Sequence, residues 1–174
     1  RAGRCVCFLH GTAPPEISTL SLRAALPSGE ARNEYWRPKA ELPCDFADAV
    51  PNVAHKALAR WESIGSLQGV VTQNIDSLHQ LAGSSNVLEL HGTAREVSCL
   101  DCEERYEADS MVEQFNTARQ GPDGPNCGCL LKHATIPFGQ QLAPDVLDQS
   151  VPSARNADSF LAIGTPRAVE PGAR

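Results

Sequence analysis

No apolar run in this chain approaches the ~18 residues that a membrane-spanning helix needs, which excludes a helical span. There is also no block of like charges and no basic stripe. The formal charge is −6, whereas a nucleic-acid binder needs a basic face against the phosphates, so no nucleic-acid partner is expected. Aromatic residues are sparse, at 5 %. Internal repeats and low-complexity tracts are absent. The opening RAGRCVCFLHGTAPP has a basic start but too short an apolar stretch for a signal peptide. A cytoplasmic protein is expected. The chain begins at Arg1 without a methionine and reads as cut from something longer.

What is present fits a globular, loop-rich protein. The 174 residues suffice for one domain with a real core, or for one domain carrying a small insertion. Glycine and proline number 13 each, which predicts many turns. The seven cysteines are an odd number, and four of them sit in two close pairs within one region. That pattern points to an intracellular metal site with leftovers rather than a disulfide framework.

Along the chain, 5-CVCFL-9 is a short strand candidate, with Cys5 and Cys7 on one face. Residues 11–46 carry turn signals but no sustained period. Pro51 suits a first helical position, and Ala54, Ala57, Leu58, Trp61 and Ile64 form an apolar stripe that Gly65 ends. The run 67-LQGVVTQNI-75 predicts a strand, followed by a short helix over 76–81. Further strands are expected at 86-NVLEL-90 and 159-SFLAI-163. Apolar runs alternating with helices, each ending in a polar or glycine-bearing turn, predict an α/β fold with a parallel sheet. Ligands in such sheets collect beyond the carboxyl ends of the strands. Residues 97–131 have little apolar content apart from a helix around 110–120, and read as an insertion that metal must hold. Pro152 interrupts what would otherwise be a helix over 144–158.

Three constellations carry chemistry. First, 99-CLDC-102 and 127-CGC-129 offer four thiolates to one tetrahedral ion, a structural zinc site with no open position. The alternative is a set of unliganded cysteines. Cys5, Cys7 and Cys44 read as apolar fillers. Second, 72-TQNIDSLHQLAG-83 brings Gln73, Asn74, Asp76 and His79 to the end of a strand. Asn74 and Asp76 suit recognition of an amide-bearing ligand, because an amide both donates and accepts and a carboxylate accepts from NH2. The competing reading makes Asp76 a helix cap and gives Asn74 a local turn bond. Third, His91 in 90-LHGT-93 follows a strand directly and can serve as a general base or as a structural histidine. His10, His55, His79 and His133 carry weaker signals.

Taken together, 72-TQNIDSLHQLAG-83, 89-ELHGT-93 and 99-CLDC-102, in that order and spacing, closely resemble the sirtuin family of NAD-dependent protein deacylases. The resemblance extends to 51-PNVAHKALARWE-62, to the bacterial-type segment 130-LLKHATIPFGQQL-142 and to 157-ADSFLAIGTPRAVEP-171. It implies a Rossmann-like parallel sheet over 1–97 and 131–174, with a small zinc-binding module inserted at 98–130. It implies transfer of an acyl group from a protein lysine to ADP-ribose, with release of nicotinamide. His91 matches the catalytic base. Gln73, Asn74, Asp76, Gly164 and Thr165 match cofactor-binding positions, with NAD as the cofactor. Phe138 and Gly139 match the segment that pairs with the acyl-lysine peptide as an added strand. Cys99, Cys102, Cys127 and Cys129 match the zinc ligands.

The chain also departs from the family pattern. Residues 1–35 do not reproduce the Gly-Ala-Gly-x-Ser loop that approaches the NAD phosphates, and Pro166 stands where the family has Ser. The sequence stops soon after Thr165. These departures lead to the expectation of a member truncated or degenerate at both ends. The competing expectation is an inactive remnant that keeps a zinc-containing binding domain.

Overall fold

The computed structural model describes residues 5–9, 28–41, 48–136 and 140–164, with the backbone alone at 5–9 and at Glu41. In chain order the elements begin with β1 (Cys5–Leu9), α1 (Gly29–Glu41), α2 (Val53–Ser63) and β2 (Leu67–Thr72). There follow α3 (Leu78–Leu81), β3 (Val87–Glu89), β4 (Gly92–Cys99) and β5 (Arg105–Glu107). The last four are α4 (Ala108–Ala118), β6 (Leu131–Thr135), α5 (Pro144–Arg155) and β7 (Ser159–Ile163). They form two compact units. One comprises Arg1–Pro14, Val50–Gly92 and Gln141–Arg174, and the other Pro15–Ala49 and Thr93–Gln140.

The first unit is built on a parallel sheet in the order β3-β2-β1-β7. Strand β2 is covered on both faces, as its near-continuous apolar run requires. Val71 and Leu90 pack with Leu88 and with Val146 and Leu147 of α5. Leu67 and Val70 pack with Leu58 of α2 and with Val87 and Ile163. Because the strands are parallel, Thr72, Glu89 and Ile163 end at one edge of the sheet, and the polar residues that follow them gather there.

Helix α2 forms where its apolar residues predict it, but on a different face. Its N-cap is Asn52, whose Oδ1 accepts from the Ala54 and His55 amides, so Pro51 lies before the helix and not at its first position. Of the expected stripe only Leu58 is buried; Trp61 and Ile64 are 43 % and 59 % exposed. The covered face is His55, Leu58, Ala59 and Glu62, with the spacing of one helical side. Polar contacts turn the helix that way. Glu62 accepts from the Ser85 and Asn86 amides, and His55 packs against His79.

The second unit holds a three-stranded sheet in the order β5-β4-β6. Its core joins Trp36, Val97, Cys99, Ala108, Met111, Phe115 and Leu131, and Trp36 is fully buried. The cysteine-bearing segment, sparse in apolar residues of its own, shares a core that a residue from outside it completes. Trp36 arrives from α1, far upstream, and supplies the largest buried side chain; fully burying such a group contributes on the order of 3 kcal/mol. Pro152 does not interrupt α5, which runs through it, because that face of the helix is exposed and water can serve the unpaired carbonyl one turn back.

Candidate active site

The edge of the parallel sheet is drawn together by backbone groups. The Leu90 amide donates to the Thr72 carbonyl at 2.8 Å, and His91 Nδ1 lies 3.2 Å from the Gln73 carbonyl oxygen. A carbonyl can only accept, so Nδ1 carries the proton and Nε2 is the basic nitrogen. His91 is buried, at 8 % exposure. The loop 73–77 therefore sets both the tautomer and the orientation of His91.

Within that loop the polar groups differ in how they are met. The Asn74 amide donates to Thr72 Oγ1 at 3.0 Å, and Asp76 Oδ1 accepts from the Leu78 amide at 3.0 Å. Asp76 thus does cap α3. For Asn74, only the backbone makes the turn bond. Its side-chain Oδ1 is buried and has no hydrogen-bond donor among the described residues. Leaving such an acceptor unmet is costly, which marks a place for a ligand N–H or O–H. Gln73 is buried beside it, and Ser77 Oγ donates to Glu89 Oε1 at 2.9 Å. The sequence singles out neither Ser77 nor Glu89, since a contact twelve residues apart leaves no local signature.

His79 also takes a place the sequence leaves obscure. It is 1 % exposed, its ring lies 4.6 Å from that of His55, and both its nitrogens lack partners among the described residues. Burial, and then the charge of His55, lower its pKa to about 4 against an opposing pull from Asp76. His79 is therefore neutral at physiological pH.

In the second unit the thiols of Cys99, Cys102 and Cys127 converge. Cys127 Sγ lies 3.4 Å from the sulfurs of both Cys99 and Cys102. Tetrahedral zinc with Zn–S bonds of about 2.3 Å sets sulfurs about 3.8 Å apart, so a small outward movement would admit the ion. Cys129 stands within reach of Cys99 and an Asp101 oxygen but outside the three-thiol group. Gly128, at φ +68, makes the tight Cys-x-Cys turn possible. Burial pushes the Cys99 thiol up, but the amides of Cys102 and Asp101 donating to its sulfur outweigh that, bringing it to about 7. These four side chains could hold a zinc ion, with Cys129 the least committed.

Gln73, Asn74, Asp76 and His91 are therefore brought together, and Gly164 follows β7 at φ +66 at the same edge. Thr165, Phe138 and Gly139 lie outside the described residues, as do Cys44 and the side chains of Cys5 and Cys7.

Comparison with known proteins gives one answer at three levels. The Sir2 family model matches residues 16–171. The NAD-dependent protein deacetylase of Thermodesulfovibrio yellowstonii is 40 % identical over 144 residues, which cover 83 % of this chain and 56 % of that protein. NAD-dependent protein deacylase 2 of Archaeoglobus fulgidus is 37 % identical over 163 residues, covering 92 % and 61 % respectively. The chain thus spans little more than half the length of these curated relatives. Among solved structures, Sir2Af2 bound to a myristoylated histone peptide superposes with a TM-score of 0.72 at 35 % identity, covering 98 % of this chain and 71 % of that one. The complex of Sir2, p53 peptide and NAD+ gives 0.78 at 27 % identity, covering 97 % and 73 %.

Proposed function

The chain belongs to the Sir2 family, and from that premise we propose that it carries the catalytic part of an NAD-dependent protein lysine deacylase. Its substrates would be acylated-lysine proteins, its cofactor NAD, and its metal a structural zinc. The observation that carries this reading is the pairing of His91 Nδ1 with the Gln73 carbonyl, beside the buried, unmet amide oxygen of Asn74.

The residues fit the cofactor. A primary carboxamide, as on nicotinamide, brings the N–H donor that Asn74 Oδ1 lacks, and Asp76 lies two residues on to orient the same group. Gln73 is assigned to the ribose, and Gly164 with Thr165 to the dinucleotide. When bound, NAD supplies an activated ribose carbon and a leaving group, nicotinamide. His91 takes a proton at Nε2 from a hydroxyl, and its Nδ1–H bond to Gln73 steadies the imidazolium that results. Burial of His91 keeps water from competing for that proton. Phe138 and Gly139 are assigned to pairing with the peptide backbone. The zinc, held by Cys99, Cys102, Cys127 and Cys129 in the module 98–130, has no open position and would serve structure alone.

The proposal places the protein in the cytoplasm. Among the described residues no helix is long and apolar enough to cross a membrane. The test is NAD-dependent nicotinamide release with an acetyl-lysine peptide. The reading expects turnover that His91→Ala abolishes; undiminished turnover in that variant would overturn it.

A further inference from the structure

Three consecutive residues, 89, 90 and 91, reach by hydrogen bonds into the segment 72–77. Leu90 binds Thr72, His91 binds Gln73, and Glu89 binds Ser77. The first two clamp the start of the loop. Asn74 and Asp76 lie beyond them, and the Ser77–Glu89 contact ties the far end of the loop to the strand that delivers His91.

Ser77 is unusual in two respects. It occupies the N-cap of α3 at φ 53, ψ 23, in the left-handed region that disfavours any residue with a Cβ. A serine in that place ordinarily has extended backbone, and its oxygen accepts from a helix amide. Here Ser77 makes no side-chain cap, and the Leu78 amide donates to Asp76 Oδ1. The Ser77 hydroxyl donates to Glu89 Oε1 at 2.9 Å. Glycine would adopt this backbone without steric cost but could not reach Glu89. The strain is tolerated and the hydroxyl is spent on a tertiary contact. Glu89, paired in register with Thr72 in the sheet, is itself anchored by β3.

We infer that Glu89 is a positioning residue for the nicotinamide side of the site. Through Ser77 it fixes the backbone on which Asp76 and Asn74 sit, so that both stay aligned with His91. This rests on the functional reading above, and the alignment of groups that act together is what such a contact protects.

The test uses Glu89→Ala, Glu89→Gln, Ser77→Ala and Ser77→Gly in the full chain. Glu89→Gln retains an acceptor oxygen for the Ser77 hydroxyl, and Ser77→Gly removes the hydroxyl while relieving the left-handed strain. Amide hydrogen exchange at Leu78 reads the geometry without cofactor. It should quicken about tenfold in Glu89→Ala, Ser77→Ala and Ser77→Gly and stay at the wild-type rate in Glu89→Gln. Inhibition by nicotinamide should weaken by a similar factor in the same three variants, with Ser77→Gly melting no lower than wild type. The double variant Ser77→Ala with Glu89→Ala should be no worse than either single change. Unchanged Leu78 exchange in Ser77→Gly, or additive effects in the double variant, would overturn the inference. If the wild-type chain released no nicotinamide from NAD, the functional reading would fall by itself. Leu78 exchange would then decide on its own whether Glu89 holds the loop.

Discussion

The imidazole of His79 packs against that of His55 with 4.6 Å between ring centroids, and no polar group among the described residues meets either nitrogen of His79. Burial and the neighbouring ring hold its pKa near 4, from an ordinary value of 6.5. The unfolded chain therefore binds the extra proton between those values, and acid favours unfolding. The contribution is complete above pH 6.5 and falls as the pH drops through 6.5 towards 4. By pH 5 this one group should cost about 2 kcal/mol. Denaturant melts of wild type and His79→Leu at pH 7.5 and pH 5 should show the wild type losing that much more. Parallel curves would contradict the assignment.

The cysteine cluster predicts a ranking. Cys99 belongs to both groups of convergent ligands and is also 2 % exposed within the apolar core, whereas Cys129 joins only one group. Cys99→Ser should abolish zinc content, as read by elemental analysis, and lower the melting temperature steeply. Cys129→Ser should retain part of the metal. A chelator should lower the wild-type melting temperature and leave that of Cys99→Ser unmoved. Equal zinc loss in the two variants would show that all four thiols bear equally.

How much of this was legible depends on the range of the contact. Strand β7 falls on the residues its apolar run names. Strand β2 ends within three residues of the expected limit, because its burial on both faces writes itself into composition. The grouping of Gln73, Asn74, Asp76 and His91 follows from motifs that sit at adjacent strand ends. Helix α1 was not legible. It buries Trp36 fully but leaves most of its length half-covered or exposed, with Pro38 inside, so no period emerges. The true face of α2 was hidden for a related reason: it is set by Glu62 and His55 meeting polar partners, which an apolar stripe does not record. The Ser77–Glu89 bond joins two residues whose neighbours say nothing of each other.

Asn74 allows function and stability to be separated. Its buried Oδ1 lacks a donor among the described residues, so removing it deletes an unmet acceptor. Asn74→Ala should melt at or slightly above the wild-type temperature, while nicotinamide inhibition weakens at least tenfold, equivalent to about 1.4 kcal/mol. A purely structural Asn74 would give the opposite pattern, with a lowered melting temperature and unaltered inhibition.

Gly69 lies in β2, where the strand passes close to the turn before β3. A Cβ there would stand 2.6 Å from Asn86 Nδ2 and 3.0 Å from the Asn86 carbonyl oxygen. Neither can yield easily. Asn86 Nδ2 donates to the Gln68 carbonyl at 2.7 Å, its carbonyl accepts from the Val70 amide at 2.9 Å, and its own amide donates to Glu62 at 2.8 Å. Gly69→Ala must therefore push β3 away from β2 or break the Asn86 bonds, and overpacking of that kind costs about 1–3 kcal/mol. Because β3 leads through Glu89 to His91, the damage should reach the site as well. Chemical denaturation should register the loss of stability, and Leu90 amide exchange should quicken as its bond to Thr72 loosens. A Gly69→Ala variant with wild-type stability and wild-type Leu90 exchange would mean that the β2–β3 pairing has more slack than these contacts allow.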